Sequence, residues 1–457
     1  MTAPDTTTGA APPSIEVPAP SWRESLAVYL KPRVLIVLLL GFSSGLPLAL
    51  SGSTLLVWMR EAGVDLGTIG LFALVGTPYT LKFLWAPLVD ALHVPFFTQR
   101  FGRRRGWLLL SQLFLIAAIL LLAASDPARS PLLVAIAALL VAATSSTQDI
   151  VVDAFRVESL PESEQAAGMA SYVAAYRIGM LVSTAGALFI VSGFEQAGLV
   201  RSSAWIWGYV VMAAMVSIGC ATALAATEPE PSLRAEAATH NEDAFTRILH
   251  AAIGAFSEFL ARKDAIGALA FVVLFKFTDA FSGTMTAPFV IDLGFSRNDY
   301  AAIVKGVGLA ATLIGGFAGG FVARRYSLAA SLWIGGVLQA VANLSFSWLA
   351  LVGINEWALA LAIAAENFTS AIGTVIFVAY LSALCRNPLH TATQYALLTA
   401  LAAVGRTYLS SGAGFVAKAA GWQLFFAICM LVAIPSLILL AWLQRRRHFD
   451  ELGPVKV

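Results

Sequence analysis

Apolar runs separated by short polar stretches recur twelve times along the chain, at about 34–59, 66–89, 107–124, 132–157, 166–194 and 204–226, then 265–291, 300–323, 328–352, 357–384, 391–416 and 422–443. Each is long enough to cross a hydrocarbon layer of about 30 Å as a helix. A backbone that must satisfy its own polar groups in lipid leaves few other solutions. The pattern therefore predicts an all-α membrane protein of twelve transmembrane helices, six on each side of a polar interval.

Composition agrees. The 457 residues are 58% hydrophobic and only 12% charged, with a mean hydropathy of +0.78, which excludes a soluble chain. The net charge of +2 is dispersed among loops, so it gives no case for nucleic-acid binding. Its placement predicts topology instead. Arg33, Arg100, Arg103, Arg104, Arg105, Arg262, Arg324, Arg386 and Arg446 fall on one side of the runs, while the other side collects only Arg60, Arg129, Arg201, Arg297 and Lys418. The richer side is expected to be cytoplasmic and to carry both termini.

The domain expectations follow: a disordered tail over 1–30, a six-helix bundle over 31–226, a cytoplasmic linker over 227–263, a second bundle over 264–444 and a cytoplasmic tail over 445–457. The opening residues lack the basic start and apolar core of a cleaved signal. In the linker, Phe245, Ile248, Leu249, Ala252, Ile253, Phe256 and Phe259 keep helical spacing, which predicts an amphipathic interfacial helix. Cys220, Cys385 and Cys429 show no ligand spacing, so neither disulfide nor metal is expected.

Charges inside the runs carry the functional reading. On translocon scales each costs about 2.5–3.5 kcal/mol at the bilayer centre, so an intramembrane acid facing the bundle interior points to function. The fourth run holds Asp149, Asp153 and Arg156 on one helical stripe beside Gln148. A buried carboxylate beside a cation can bind and release a proton, which nominates Asp149 and Asp153, then Glu366 in the tenth run, as proton-coupling residues. The alternative is a buried ion pair that locks helices together. Lys82 lies three residues from both Tyr79 and Trp85; it reads either as a cation for an anionic, sugar-bearing ligand or as a partner of the fourth-run acids. Arg177 has a planar fork suited to carboxylates, with the same alternative. Lys276 and Asp279 are spaced to pair, and Arg406 lies in the eleventh run. Tyr79, Lys82, Trp85, Tyr176, Arg177, Lys276 and Arg406 are expected around one cavity.

A weak repeat relates the halves. Gln165 precedes Arg177 by twelve residues and Gln394 precedes Arg406 by twelve, while basic loops at Arg103 and Arg324 follow the second and eighth runs.

The chain resembles the major facilitator superfamily, and within it the AmpG muropeptide permeases. The resemblance rests on Leu39-Leu-Gly-Phe-Ser-Ser-Gly-Leu-Pro47, on Gly76-Thr-Pro-Tyr-Thr-Leu-Lys-Phe-Leu-Trp-Ala-Pro-Leu-Val-Asp90 and on Gln148-Asp-Ile-Val-Val-Asp-Ala-Phe-Arg156. Tyr176-Arg-Ile-Gly-Met180 and Lys276-Phe-Thr-Asp-Ala-Phe281 extend it. It implies proton-driven import of N-acetylglucosaminyl-1,6-anhydro-N-acetylmuramyl peptides through the bacterial inner membrane for cell-wall recycling. It also implies a gating motif, carried here by Asp90 and Arg103, Arg104 and Arg105, although the insert after Asp90 is longer than the usual pattern. The implied partners are a glycopeptide, protons and the bilayer, with a monomeric protein and no cofactor.

Other readings are a carrier of another large anionic conjugate such as acetyl-CoA, a sugar carrier, or a non-transporting assembly factor on the same fold. No catalytic constellation stands out. His93, His240, His250, His390 and His448 have no second ligand at metal spacing, and no phosphate-cradling loop is present, so an enzyme or an ATP-driven pump is not expected.

Overall fold

The computed structural model describes residues 27–229, 260, 263–384 and 391–452, and among them there is no strand. Ten helices are long and apolar enough to cross a membrane unbroken: α1 (Pro32–Glu61), α3 (Arg103–Ala124), α4 (Pro131–Ser159), α5 (Ala167–Gln196), α6 (Arg201–Ala225), α7 (Ala265–Asp292), α8 (Arg297–Ala323), α9 (Leu328–Val352), α10 (Glu356–Leu384) and α12 (Trp422–Arg445). The remaining two crossings are assembled from short pieces. These are α2 (66–91), in which 3-10 turns at Phe72–Gly76 and Lys82–Leu84 divide the helix, and α11 (391–420), in which Leu409–Gly412 does so. The twelve expected crossings are thus present, with two interrupted.

Proline accounts for part of the interruption. Pro78 and Pro87 each start a new helical piece in α2, where their missing N–H breaks no ladder bond. Pro47 and Pro288 lie inside α1 and α7. Beyond Pro47, α1 widens into a π-turn at Leu50–Thr54, where Gly52 leaves helical geometry. Similar π-turns occur in α5 at Val182–Gly186 and in α8 at Tyr300–Val307. All three face the space between the halves, and π-turns often mark functional positions.

Glycine sets the closest helix approaches. A Cβ at Gly315 or Gly319 of α8 would strike the backbone of α10 at Phe368 or Ile372, whereas Gly316 and Gly320 face open space. The glycine run therefore packs one face of α8, as small residues do in membranes. Gly45 of α1 plays the same part against Tyr176 of α5.

Two expectations at the chain ends meet local structure. Val28–Leu30 already form a 3-10 turn leading to Pro32 at the first turn of α1, so the expected tail over 1–30 is shorter by those residues. His448–Leu452 form a helical turn past α12, within the expected cytoplasmic tail, with His448 buried against the Tyr380 hydroxyl at 3.2 Å. The linker helix expected over 245–259 lies outside the described residues.

Candidate functional site

A cavity of about 580 Å³ lies between the two halves. Its wall is drawn from α1, α2 and α5 of the first six crossings and from α7, α8, α10 and α11 of the second, and the π-turns of α1, α5 and α8 all reach it. Tyr79, Arg177 and Arg406, which the sequence analysis groups around one cavity, are on the wall, and so is the proton-coupling candidate Glu366. Arg177 and Arg406, the two arginines of the internal repeat, are both exposed and both line this space. A third cation, Lys305, is a residue that sequence reasoning missed. It lies near the start of its apolar run, where a lysine reads as an end residue, yet the π-turn of α8 carries it inward. Its Nζ is 3.3 Å from Ser53 Oγ of α1, a bond across the halves, and 5.4 Å from the Tyr300 ring.

Beside Lys305, Asn367 donates to Glu366 Oε2 at 2.8 Å and receives Thr312 Oγ1 at 3.3 Å. At the far edge, Thr80 of α2 and Thr407 of α11 meet at 3.1 Å. The cavity thus combines three cations, one carboxylate, hydroxyl and amide groups, and the aromatic faces of Phe72, Tyr79 and Tyr300.

The remaining predicted residues are distributed differently. Trp85 donates its indole N–H to Thr147 of α4 at 3.1 Å and packs in the first-half core, off the cavity wall. Gln148 is fully buried, its amide 3.4 Å from both Ser43 and Ser44 of α1, so it ties α4 to α1 and does not face a ligand. Lys82, Tyr176 and Lys276 are likewise outside the cavity lining. Lys276 instead pairs with Asp279 at 3.3 Å, donates to Thr374 at 2.9 Å and lies 5.9 Å from the Phe377 ring.

The fourth-helix acids do not line this cavity. No residue of α4 reaches the cavity wall. Asp149 is 7% exposed, with Ser44 and Lys82 among its polar neighbours, and Tyr79 of α2 stands between α4 and the cavity. Asp153 is 49% exposed at its side chain and pairs with Arg156 on its own helix at 3.7 Å. A four-residue spacing puts both acids on one stripe, whose packing buries Asp149 and leaves Asp153 half exposed.

The two ends of the molecule differ in how charge is used. At the end holding the predicted gating arginines, these side chains bond to groups of the first half. Arg104 grips Glu158 of α4 with two bonds at 2.9 and 2.5 Å, and Arg103 approaches the same carboxylate at 3.6 Å. Arg105 donates to the Ala223 and Leu224 carbonyls at 2.8 and 2.7 Å. The Asp90 side chain lies outside the described residues. At the opposite end, pairs cross between the halves: Arg60 with Asp292, Arg297 with Glu61 and with Glu195 at 2.6 Å each, and Lys418 with Asp65 at 3.5 Å. Trp422 also donates to Asp292 at 3.0 Å, and Arg297 lies 5.6 Å from the Trp205 ring. Arg297 is 6% exposed and Glu61 only 11%, so the pair at the centre of this seal is desolvated, while Lys418 and Asp65 at its edge stay half exposed or more. Removing one partner from such a pair leaves a buried charge uncompensated, at about 3–5 kcal/mol, whereas parting the halves returns every partner to water. A seal of this kind can open as a unit.

Among the described residues no cluster of His, Cys, Asp and Glu is arranged to hold a metal ion.

Residues 37–407 match the model of the family described as Major Facilitator Superfamily. The anhydromuropeptide permease of Escherichia coli strain K12 is 38% identical over 429 residues, covering 94% of this chain and 83% of that one. Among solved structures, the D-xylose-proton symporter has a TM-score of 0.65 at 14% identity, covering 90% of this chain and 97% of its own. A POT family transporter in complex with a thioalcohol-conjugated peptide has a TM-score of 0.67 at 12% identity, covering 90% and 96%. At such identities these structures speak to the fold alone.

Proposed function

The chain belongs to the Major Facilitator Superfamily and, within it, to the AmpG-type permeases, and from that premise we propose that it imports anhydromuropeptides across the bacterial inner membrane by proton-coupled alternating access. Membrane transport of a small molecule follows from the family. The choice of substrate, the driving ion and the role in cell-wall recycling are the proposal. The protein acts as a monomer, with both termini and Arg103 to Arg105 facing the cytoplasm and the sealed end facing the periplasm.

The observation that carries this reading is the cavity, in which Arg177, Arg406 and Lys305 outnumber the single acid Glu366. An anhydromuropeptide presents carboxylates on its peptide and apolar faces on its sugar rings. Guanidinium forks bind the former, and Tyr79 and Tyr300 offer surfaces for the latter. A volume of about 580 Å³ suits a disaccharide-sized solute.

The test is uptake into vesicles. Labelled GlcNAc-anhydroMurNAc-tripeptide accumulates under an imposed inward pH gradient, and an uncoupler abolishes the accumulation. Uptake of acetyl-CoA or a neutral sugar, with none of the muropeptide, overturns the substrate; accumulation insensitive to the uncoupler overturns the coupling.

A further inference from the structure

Behind Glu366 lies a second cavity of about 10 Å³ between α7, α9 and α10. Every residue lining it is polar, including Asp279, Ser282, Gln339, Asn343, Glu366 and Ser370. In a membrane helix bundle that concentration of polar groups is costly unless each group has a partner. Most do. Ser370 donates to Asp279 Oδ1 at 2.6 Å, Lys276 donates to Asp279 Oδ2 at 3.3 Å, and Ser282 donates to the Asp279 carbonyl at 3.3 Å.

One acceptor is left over. Asn343 is 3% exposed, and its amide nitrogen is committed to the Gln339 carbonyl at 3.0 Å. That bond fixes which end of the amide is the oxygen. Its Oδ1, buried on the wall of the small cavity, has no hydrogen-bond partner among the described residues. A buried acceptor of this kind calls for a donor, and the space is about what one water needs.

Glu366 lines both cavities, so one carboxyl group touches the solute space and the small pocket. We propose that the small cavity holds one water that relays a proton between Glu366 and Asp279, making the second half the seat of coupling. The inference rests on the proton-coupled reading above. The water donates one hydrogen to Asn343 Oδ1 and the other toward the Asp279 carboxylate, and accepts from a protonated Glu366. When the Glu366 O–H proton passes to the water, the water passes one of its own to Asp279. One O–H bond breaks and one forms at each oxygen pair, and nothing is oxidised. Asp279 then becomes neutral beside Lys276, which keeps its bond to Thr374, while Glu366 returns to a carboxylate facing Lys305. The charged groups around Glu366 are Asp279 and Lys276 from α7 and Lys305 from α8, with Arg177 and Arg406 on the shared cavity wall; α9 contributes only neutral amides.

The test replaces Asn343, which touches neither the solute cavity nor an ion pair. Asn343→Leu fills the pocket and removes the acceptor, whereas Asn343→Ser keeps room and an oxygen. In proteoliposomes with labelled anhydromuropeptide, Asn343→Leu lowers pH-gradient-driven accumulation by about tenfold or more while counterflow exchange stays within about twofold, and Asn343→Ser retains both. The relay is overturned if Asn343→Leu accumulates as the wild type does, if it loses accumulation and exchange together, or if a sodium gradient drives accumulation without a pH gradient. Should the wild type neither accumulate nor exchange this solute, the substrate reading fails, and a second measurement still decides the relay. A pH-titrated infrared difference spectrum of the purified protein shows a protonated-carboxyl band that Glu366→Gln removes and Asn343→Leu shifts, with Asn343→Ser close to wild type. No carboxyl band sensitive to both Glu366→Gln and Asn343→Leu sinks it.

Discussion

Helices α4 and α10 hold equivalent places in the two halves, and each carries an acid within its span, yet the two acids sit in different surroundings. Asp149 of α4 is enclosed in the first half near Ser44 and Lys82, with Tyr79 between its helix and the cavity. Glu366 of α10 reaches the cavity directly and has a polar pocket behind it. An acid within each of two related helices thus differs in access. A proton carrier must meet water from one side at a time, so access matters more than burial.

The strongest way to break the comparison is to neutralise each acid in turn. Glu366→Gln is expected to reduce pH-gradient-driven accumulation by roughly 100-fold, near the upper end of typical coupling between two sites. Equal loss from Asp149→Asn would erase the distinction between the halves.

Next in size are the repeat arginines. Arg177→Ala and Arg406→Ala each remove a charged hydrogen-bonding group worth about 1.5–3 kcal/mol, so each is expected to raise the KM for the muropeptide roughly 10- to 100-fold. Direct binding assays on the two variants sharpen the picture: similar losses mean that both halves hold the solute's anionic end, while a one-sided loss places it against one half.

Asp149→Asn is expected to lower transport by only about fivefold, because a neutral amide keeps the shape of the site and a single partner interaction is worth about 1 kcal/mol. Its thermal stability in detergent is the accompanying readout. The smallest effect belongs to Asp153→Asn. A half-exposed pair with Arg156 on the same helix contributes about 0–1 kcal/mol, so uptake within twofold of wild type is expected. A large loss there would return α4 to the coupling pathway.

The sequence by itself determined what the bilayer demands locally. Twelve apolar runs specify twelve crossings because lipid leaves the backbone no partner but itself, and hydropathy, proline and glycine all act over a few neighbouring residues. Arg177 and Arg406, matched by the repeat, also reached the expected cavity. What the sequence could not determine was rotation and approach. A helical stripe has a face, but only packing decides whether that face meets the solute space or a neighbouring helix, and so Gln148 and Trp85 became ties between helices while Lys305 turned inward on a π-turn. The seal between Glu61, Glu195 and Arg297 was likewise hidden, since each reads as an ordinary charge at the end of a run. Those charges lie more than a hundred residues apart in pairs that join the two halves, and their pairing energy exists only once the tertiary structure removes them from water.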